Sequence, residues 1–316
     1  MNMKNRIKLV FWHTSIENYG DILSPYIINK LSGFEIQQKN LFISFKYLFK
    51  RFIKNIINLN FTENKKILFP FEKNLLAIGS ILKGCNKKSS VWGSGFMRDS
   101  EKCVGGNIIA VRGKYTYQSL LKQQQKNPHI KINKECVFGD PALLLPLILK
   151  LEKKDIHNIG IIPHFSEYSY FKNKYSENIK IINLQSNDIE SVTKEIISCK
   201  YILSSSLHGI IVAHAYGIPA IWIEHTGLEL NTNGFKFKDY FSSVNIDIYQ
   251  PYKSIDSILI DRESVIDFFN QNKNISLPNI DIKQIQMNLL KCTPFKLLKE
   301  YESLIILYEK RQKSIQ

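Results

Sequence analysis

Several features are scarce in this 316-residue chain, and each scarcity excludes something. No run of eighteen apolar residues occurs, so no segment has the make-up of a membrane-spanning helix. The N-terminus runs almost directly into an apolar strand at Ile7–Phe11, without an apolar core and cleavage site. That sets the expectation of a cytoplasmic protein without a signal peptide. The five cysteines (Cys85, Cys103, Cys136, Cys199 and Cys292) are odd in number, widely spaced and never in a Cys-x-x-Cys pair. Such usage argues for reduced thiols and against a zinc site. Internal repeats and low-complexity tracts are missing as well. Acidic residues are in deficit, 28 against 43 basic ones, which leaves a net charge of +15. Nucleic acid, an anionic membrane surface or an anionic substrate could each answer that charge. The lysines are spread along the whole chain, however, and no helix-turn-helix, zinc-finger or RNA-recognition signature accompanies them. Nucleic-acid binding therefore ranks last.

What is present is the material of an ordinary globular protein, 44% apolar and long enough for two domains. The stretch Tyr201–Ile223 organises the rest. Tyr201–Leu203 suits a buried strand, and Ser204, Ser205 and Ser206 suit a turn. Leu207, Ile210, Ile211, Ala213, His214 and Ala215 recur at helical spacing, Gly217 and Pro219 stop the helix, and Ala220–Ile223 is a second strand. Strand, turn, helix, strand is half of a doubly wound α/β domain. His208 falls at the start of the helix, just past the carboxyl end of the strand. Ligands of open α/β sheets bind there, where helix N-termini offer N–H groups to anions.

Other strand ends carry polar residues in the same way. The first strand leads through Asn18-Tyr19-Gly20-Asp21 into a helix, and on spacing alone Asp21 is more simply an N-cap than a functional group. Leu75–Ile78 leads into Gly79-Ser80, Val91-Trp92 into Gly93-Ser94-Gly95, and Ile108–Val111 into Arg112-Gly113. Each looks like a buried parallel strand ending in a loop of small residues. Gly93 and Ser94 could let the backbone approach a phosphate, though an isolated Gly-x-Gly is usually a tight turn. Arg112 precedes a helix at Lys114–Gln124 and suits bidentate recognition of a carboxylate or phosphate, with a surface salt bridge as the plain alternative. A polar stretch at Lys150–Asp155 marks a boundary, giving domains of residues 1–152 and 153–316. The second opens with Asn158–His164, a strand ending in His164, followed by a strand at Ile179–Leu184 and a helix at Ile189–Ser198. A long helical pattern over Asp281–Ile306 closes the chain.

Residues 35–66 form a basic amphipathic insert in the first domain. Within Leu41–Phe61, Lys46, Lys50, Arg51, Lys54, Asn55 and Asn58 occupy one half of a helical wheel. Phe45, Leu48, Phe49, Phe52, Ile53, Ile56 and Leu59 occupy the other. An interfacial membrane helix needs this pattern, and a helix packed on its own domain shows it equally often.

The ordered set NYGD (Asn18–Asp21), the GS and WGSG strand ends, AVRGKYT (Ala110–Thr116), VFGDPALLLP (Val137–Pro146), GIIPH (Gly160–His164), SSSLHGIIVAHAYGIP (Ser204–Pro219) and GFKFKDYFSSV (Gly234–Val244) resembles the polysaccharide pyruvyl transferase family. The likeness runs across most of the chain, leaving out roughly Glu35–Lys73 and the final helix. Many members carry Arg directly before Leu-His-Gly; here that place is Ser206, and Lys236 or Lys238 would have to supply the missing cation. The resemblance implies an α/β protein of two Rossmann-like domains facing across a cleft, as in GT-B glycosyltransferases, the first on the acceptor side and the second on the donor side. It also implies transfer of pyruvate from phosphoenolpyruvate onto two hydroxyls of a sugar in a capsule, exopolysaccharide or lipopolysaccharide, making a cyclic ketal without a cofactor or metal. Asp21, Arg112 and His208 match its functional positions, with His164 as a fourth. Ser206, Gly209, Lys236, Gly93 and Ser94 complete the expected substrate contacts.

The chemistry suits those residue types. Phosphoenolpyruvate is strongly anionic, so Arg112 is the expected clamp at one end and the N–H groups at His208–Gly209 at the other. Ketal formation needs an acid for the methylene carbon and a base for the hydroxyls; His208 is the expected acid and Asp21 the base. His214, six residues beyond His208, is expected to be structural, and His13, His129, His157 and His225 are given no role. A nucleotide-sugar glycosyltransferase is the alternative enzyme for the same architecture. If residues 41–61 lie on the inner face of the cytoplasmic membrane, a lipid-linked acceptor follows.

Overall fold

The computed structural model describes residues 6–12, 17–42, 44–175, 179–225 and 233–315. Along the chain the elements are β1 (Arg6–Val10), α1 (Tyr19–Ser32), β2 (Glu35–Lys39), α2 (Phe45–Ile57), α3 (Phe61–Lys65), β3 (Asn74–Leu76), β4 (Ser89–Trp92), β5 (Gly106–Val111), α4 (Lys114–Gln124) and β6 (Ile130–Phe138). They continue with α5 (Leu145–Ile148), β7 (His157–Ile162), α6 (Tyr168–Tyr175), β8 (Lys180–Ile181), α7 (Ile189–Ile197), β9 (Cys199–Ser204), α8 (Leu207–Ala215) and β10 (Ala220–Trp222). The last are α9 (Phe235–Ser243), α10 (Arg262–Gln271), α11 (Lys273–Ser276), α12 (Ile282–Lys291) and α13 (Lys299–Ile315). The chain is α/β and forms two compact units, neither of them continuous in sequence. The first comprises residues Met1–Trp12, Ser24–Pro141 and Lys283–Gln316, and the second His13–Leu23 and Ala142–Ile282. Residues 13–23, Asp21 among them, thus group with His208.

The first unit holds a six-stranded sheet in the order β2-β1-β3-β4-β5-β6, with every pairing parallel. Its central strands are apolar on both faces: Leu9, Val10, Leu76, Val91, Trp92, Ile108 and Val111 are fully buried. Parallel strands covered on both sides require such runs, which is why they stand out in the sequence. The edge strand β2 does not stand out. Its sequence, EIQQK, is polar because an edge faces solvent, and Arg6 pairs with Glu35 there at 3.0 Å. The basic insert expected from residue 35 therefore begins with a strand of the sheet itself. The closing helical pattern is also corrected: it is two helices, α12 and α13. Pro294 lies between them and has no N–H with which to continue α12.

The second unit holds a four-stranded parallel sheet in the order β10-β9-β7-β8. From β7 the chain moves outward to β8, and from β9 it moves the other way to β10. The topological switch point therefore lies between β7 and β9, and their carboxyl ends are where an open α/β sheet binds ligands. Helix α8 is apolar all round, and Leu207, Ile210, Ile211, Val212, Ala213 and His214 are all buried. A helix of that kind sits inside its unit and fixes its first turn rigidly.

Candidate functional site

Three segments of the second unit meet at its switch point. The carboxyl end of β7 supplies His164, that of β9 supplies Ser204–Ser206, and α8 begins with Leu207 and His208. Ser204 Oγ donates to the Ile162 carbonyl at 2.8 Å and accepts from Ser206 N at 3.0 Å, tying the turn to the neighbouring strand. Ser205 Oγ accepts from His164 N at 2.8 Å and donates to the buried Glu167 carboxylate at 2.5 Å. Gly209 allows this closeness, because a Cβ there would sit 2.6 Å from Ser204 Oγ and 2.9 Å from Ile162. Ser206 stands at the N-cap with extended backbone, but its hydroxyl makes no capping bond. His164 holds Ser166 Oγ through Nδ1 at 2.8 Å and lies against Phe165 with ring centroids 4.3 Å apart, the rings tilted by 39°.

The fourth segment comes from far away in sequence. The first turn of α1 docks on the same unit: Tyr19 N donates to the Leu184 carbonyl at 2.8 Å, and Tyr19 Oη lies 2.8 Å from Thr193 Oγ1. Gly20 thereby meets the half-buried His208 so closely that a Cβ on Gly20 would overlap Nδ1 of the imidazole. Asp21 follows immediately. It is not the helix cap, because Asn18 fills that place, its Oδ1 accepting from Gly20 N at 3.0 Å. Burial pushes the Asp21 carboxyl up from 3.8 to about 6, against a smaller opposing pull from a hydrogen bond with the Asn18 side chain. A carboxyl poised there exchanges protons near neutral pH. Gly20 is the residue that sequence reasoning passed over; the glycine in NYGD was visible, but its contact with His208 joins residues 188 positions apart.

The remaining expected residues are placed as follows. Arg112 is fully buried in the first unit, with Nη1 2.5 Å from Ser80 Oγ and Nη2 2.6 Å from the Phe96 carbonyl. It therefore does not lie at the surface. Gly93 adopts a positive φ of 96°, a Cβ there would overlap the Pro141 ring, and its N–H donates to Ala110 O at 2.8 Å. Ser94 Oγ donates to Gly79 O at 2.9 Å. Both are thus tied to neighbouring segments of the sheet, Gly93 to β5 and Ser94 to the loop after β3. Lys236 lies on α9 with Nζ 5.3 Å from the Phe237 ring, and Lys238 reaches Asn233 Oδ1 at 3.4 Å. His214 is buried between Tyr240 Oη at 3.0 Å and the Ser276 carbonyl at 3.1 Å, and burial lowers its pKa to about 4. That histidine stays neutral and structural. His129 contacts Lys87, His225 stacks on Tyr170 at 3.5 Å, and His13 lies outside the described residues. No cluster of His, Cys, Asp and Glu suited to a metal occurs among the described residues, and no helix there is long and apolar enough to cross a membrane.

The second unit is thus a parallel α/β sheet with a helix mouth, an imidazole and a carboxyl raised to about 6 at its switch point, the place where open α/β sheets bind ligands. The family description Polysaccharide pyruvyl transferase matches residues 18–227, a span that includes Gly20, Asp21, His164 and His208. The chain belongs to that family. The uncharacterized protein L143 of Acanthamoeba polyphaga mimivirus is 32% identical to it over 212 residues, covering 65% of this chain and 69% of its own length. The family points to pyruvyl transfer onto polysaccharide rather than to glycosyl transfer from a nucleotide sugar.

Proposed function

We propose that this chain transfers pyruvate from phosphoenolpyruvate to two hydroxyls of one sugar in a cell-surface polysaccharide, forming a cyclic ketal and releasing phosphate. The observation that carries the reading is the seating of the His208 imidazole on Gly20, next to a carboxyl held near 6. Protonated His208 gives its proton to the methylene carbon of phosphoenolpyruvate. A sugar hydroxyl attacks the adjacent carbon and surrenders its proton to Asp21. The carbon–oxygen bond to phosphate then breaks, phosphate leaves with the proton held by Asp21, and the second hydroxyl closes the ring as it gives its proton to His208. A base with a pKa of about 6 is stronger than an ordinary carboxylate and still ionised at neutral pH. The α8 mouth at Ser206–Gly209 offers backbone N–H groups to the anionic donor, and Lys236 is the proposed replacement for the arginine that many relatives carry at the place of Ser206. We further propose that Arg112, which is fully buried, turns part of its guanidinium to the donor. The resemblance's expectation that the two units work as a facing, GT-B-like pair is also kept.

The test is incubation with phosphoenolpyruvate and a panel of hexoses, N-acetylhexosamines and oligosaccharide repeats. The expected result is acceptor-dependent phosphate release with a product heavier by one pyruvate less one water. Thermal stabilisation by nucleotide sugars but not by phosphoenolpyruvate, with no phosphate released, would overturn it.

A further inference from the structure

Helix α2 carries an apolar face that its own unit covers only in part. Leu48 is buried and Phe52 half-buried, so that edge of the helix packs inward. Arg51 and Asn55 hold α3 through Glu63 at 3.1 Å and Asn64 at 2.9 Å. The next strip of the helix, Phe45, Phe49, Ile53 and Ile56, recurs at helical spacing and is left in solvent, with Phe45 66% and Phe49 61% exposed. On the inward edge Phe52 meets Phe69 edge-on at 6.2 Å, and Phe69 stacks at 5.8 Å on Phe71, itself 73% exposed. Leu59 and Phe61 add further exposed apolar surface at the end of the helix. A row of such side chains along one helix is unusual on a surface that faces only water.

Beside the strip runs a second one. Lys46, Lys50 and Lys54 fall on the adjoining side of α2, all exposed, and none makes an ion pair among the described residues. Residues 44–66 contain six basic side chains and one acidic, Glu63, which is already engaged by Arg51 and Lys66. Two copies packed patch to patch would bring two such basic segments together, which charge repulsion disfavours. An anionic bilayer answers both strips at once: the aromatic and aliphatic side chains enter the acyl boundary while the lysines meet lipid phosphates. We infer that α2 lies in the interface of an anionic membrane and anchors the chain there as a peripheral protein. The inference rests on this face alone and stands whether or not the proposed transfer is correct.

The test is flotation of the full chain with vesicles of phosphatidylcholine alone or with phosphatidylglycerol added. Wild type is expected to float with the anionic vesicles, less so as salt rises, and poorly with phosphatidylcholine. The variant Lys46→Glu/Lys50→Glu/Lys54→Glu should bind about a hundredfold more weakly. Phe45→Ser/Phe49→Ser should lose about tenfold at any salt. Circular dichroism and the unfolding midpoint of both variants should match wild type, as none of these side chains is buried. Equal flotation of wild type and both variants would overturn the inference. So would lipid-free self-association of wild type that Phe45→Ser/Phe49→Ser abolishes, which would make a second copy the occupant.

Discussion

At the carboxyl end of β5, Arg112 is sealed from solvent and engaged by Ser80 and Phe96, and the nearby turn of Gly93 and Ser94 is bonded to Ala110 and Gly79 of neighbouring segments. At the carboxyl ends of β7 and β9, the His208 imidazole is half-buried on Gly20, and the neighbouring Asp21 carboxyl is held near 6. Both places follow the same rule of polar residues at the mouths of parallel strands. They differ in whether the polar groups are spent on the fold. The second unit keeps a carboxyl whose ionised form costs stability, while in the first Ser80 and Phe96 are among the partners of Arg112.

That contrast can be broken most decisively at His208. His208→Gln should lower turnover by about 10²–10⁴-fold with the unfolding midpoint unchanged, as measured by phosphate release and thermal denaturation. Gly20→Ala comes next. The added methyl must displace the imidazole, so turnover should fall about a hundredfold, while the helix gains from alanine's better propensity. Asp21→Asn should cost about a hundredfold in turnover and raise stability. Folding lifts the Asp21 pKa from 3.8 to about 6, so the ionised carboxyl costs stability. The cost is absent below about pH 4, grows to pH 6 and is complete above it. The first turn of a helix favours the anion by about 0.3–1 kcal/mol, so the net gain at pH 7 is about 2 kcal/mol. Wild-type turnover should also decline as pH falls through 6, as the base takes up its proton. The smallest functional effect is expected from the first unit. Arg112→Lys should raise KM for phosphoenolpyruvate about tenfold and lower stability by about 2 kcal/mol, through a lost charged hydrogen bond. A stability loss with KM unchanged would confine Arg112 to the fold and sharpen the contrast further.

Much of the architecture was legible because buried parallel strands are written as short apolar runs. The strands around Leu76, Trp92, Val111, Ile161 and Leu203 and the helix Lys114–Gln124 appear where the pattern puts them. Edge strand β2 escaped notice because its polar sequence resembles a loop. The closing pattern kept helical spacing across Pro294, where one residue ends the helix. At the site, His208 could be placed from its own neighbourhood, since the strand, turn and helix that aim it are contiguous. Gly20 could not. Its significance lies in what a side chain there would strike, and that neighbour comes from the other end of a long-range packing contact. On spacing alone Asp21 suits an N-cap, but Asn18, three residues earlier, takes that place. Only the geometry separates them. For Arg112 the spacing allows a clamp or a surface salt bridge; full burial excludes the surface and leaves the clamp a proposal.

The account stands most directly on one comparison, the turnover of Gly20→Ala against wild type at saturating phosphoenolpyruvate with the acceptor that supports release. It predicts a folded variant, with an unfolding midpoint equal to or above that of wild type and phosphate release reduced about a hundredfold. Release within about threefold of wild type from the same folded variant would show that the imidazole's seat on Gly20 has no part in the reaction.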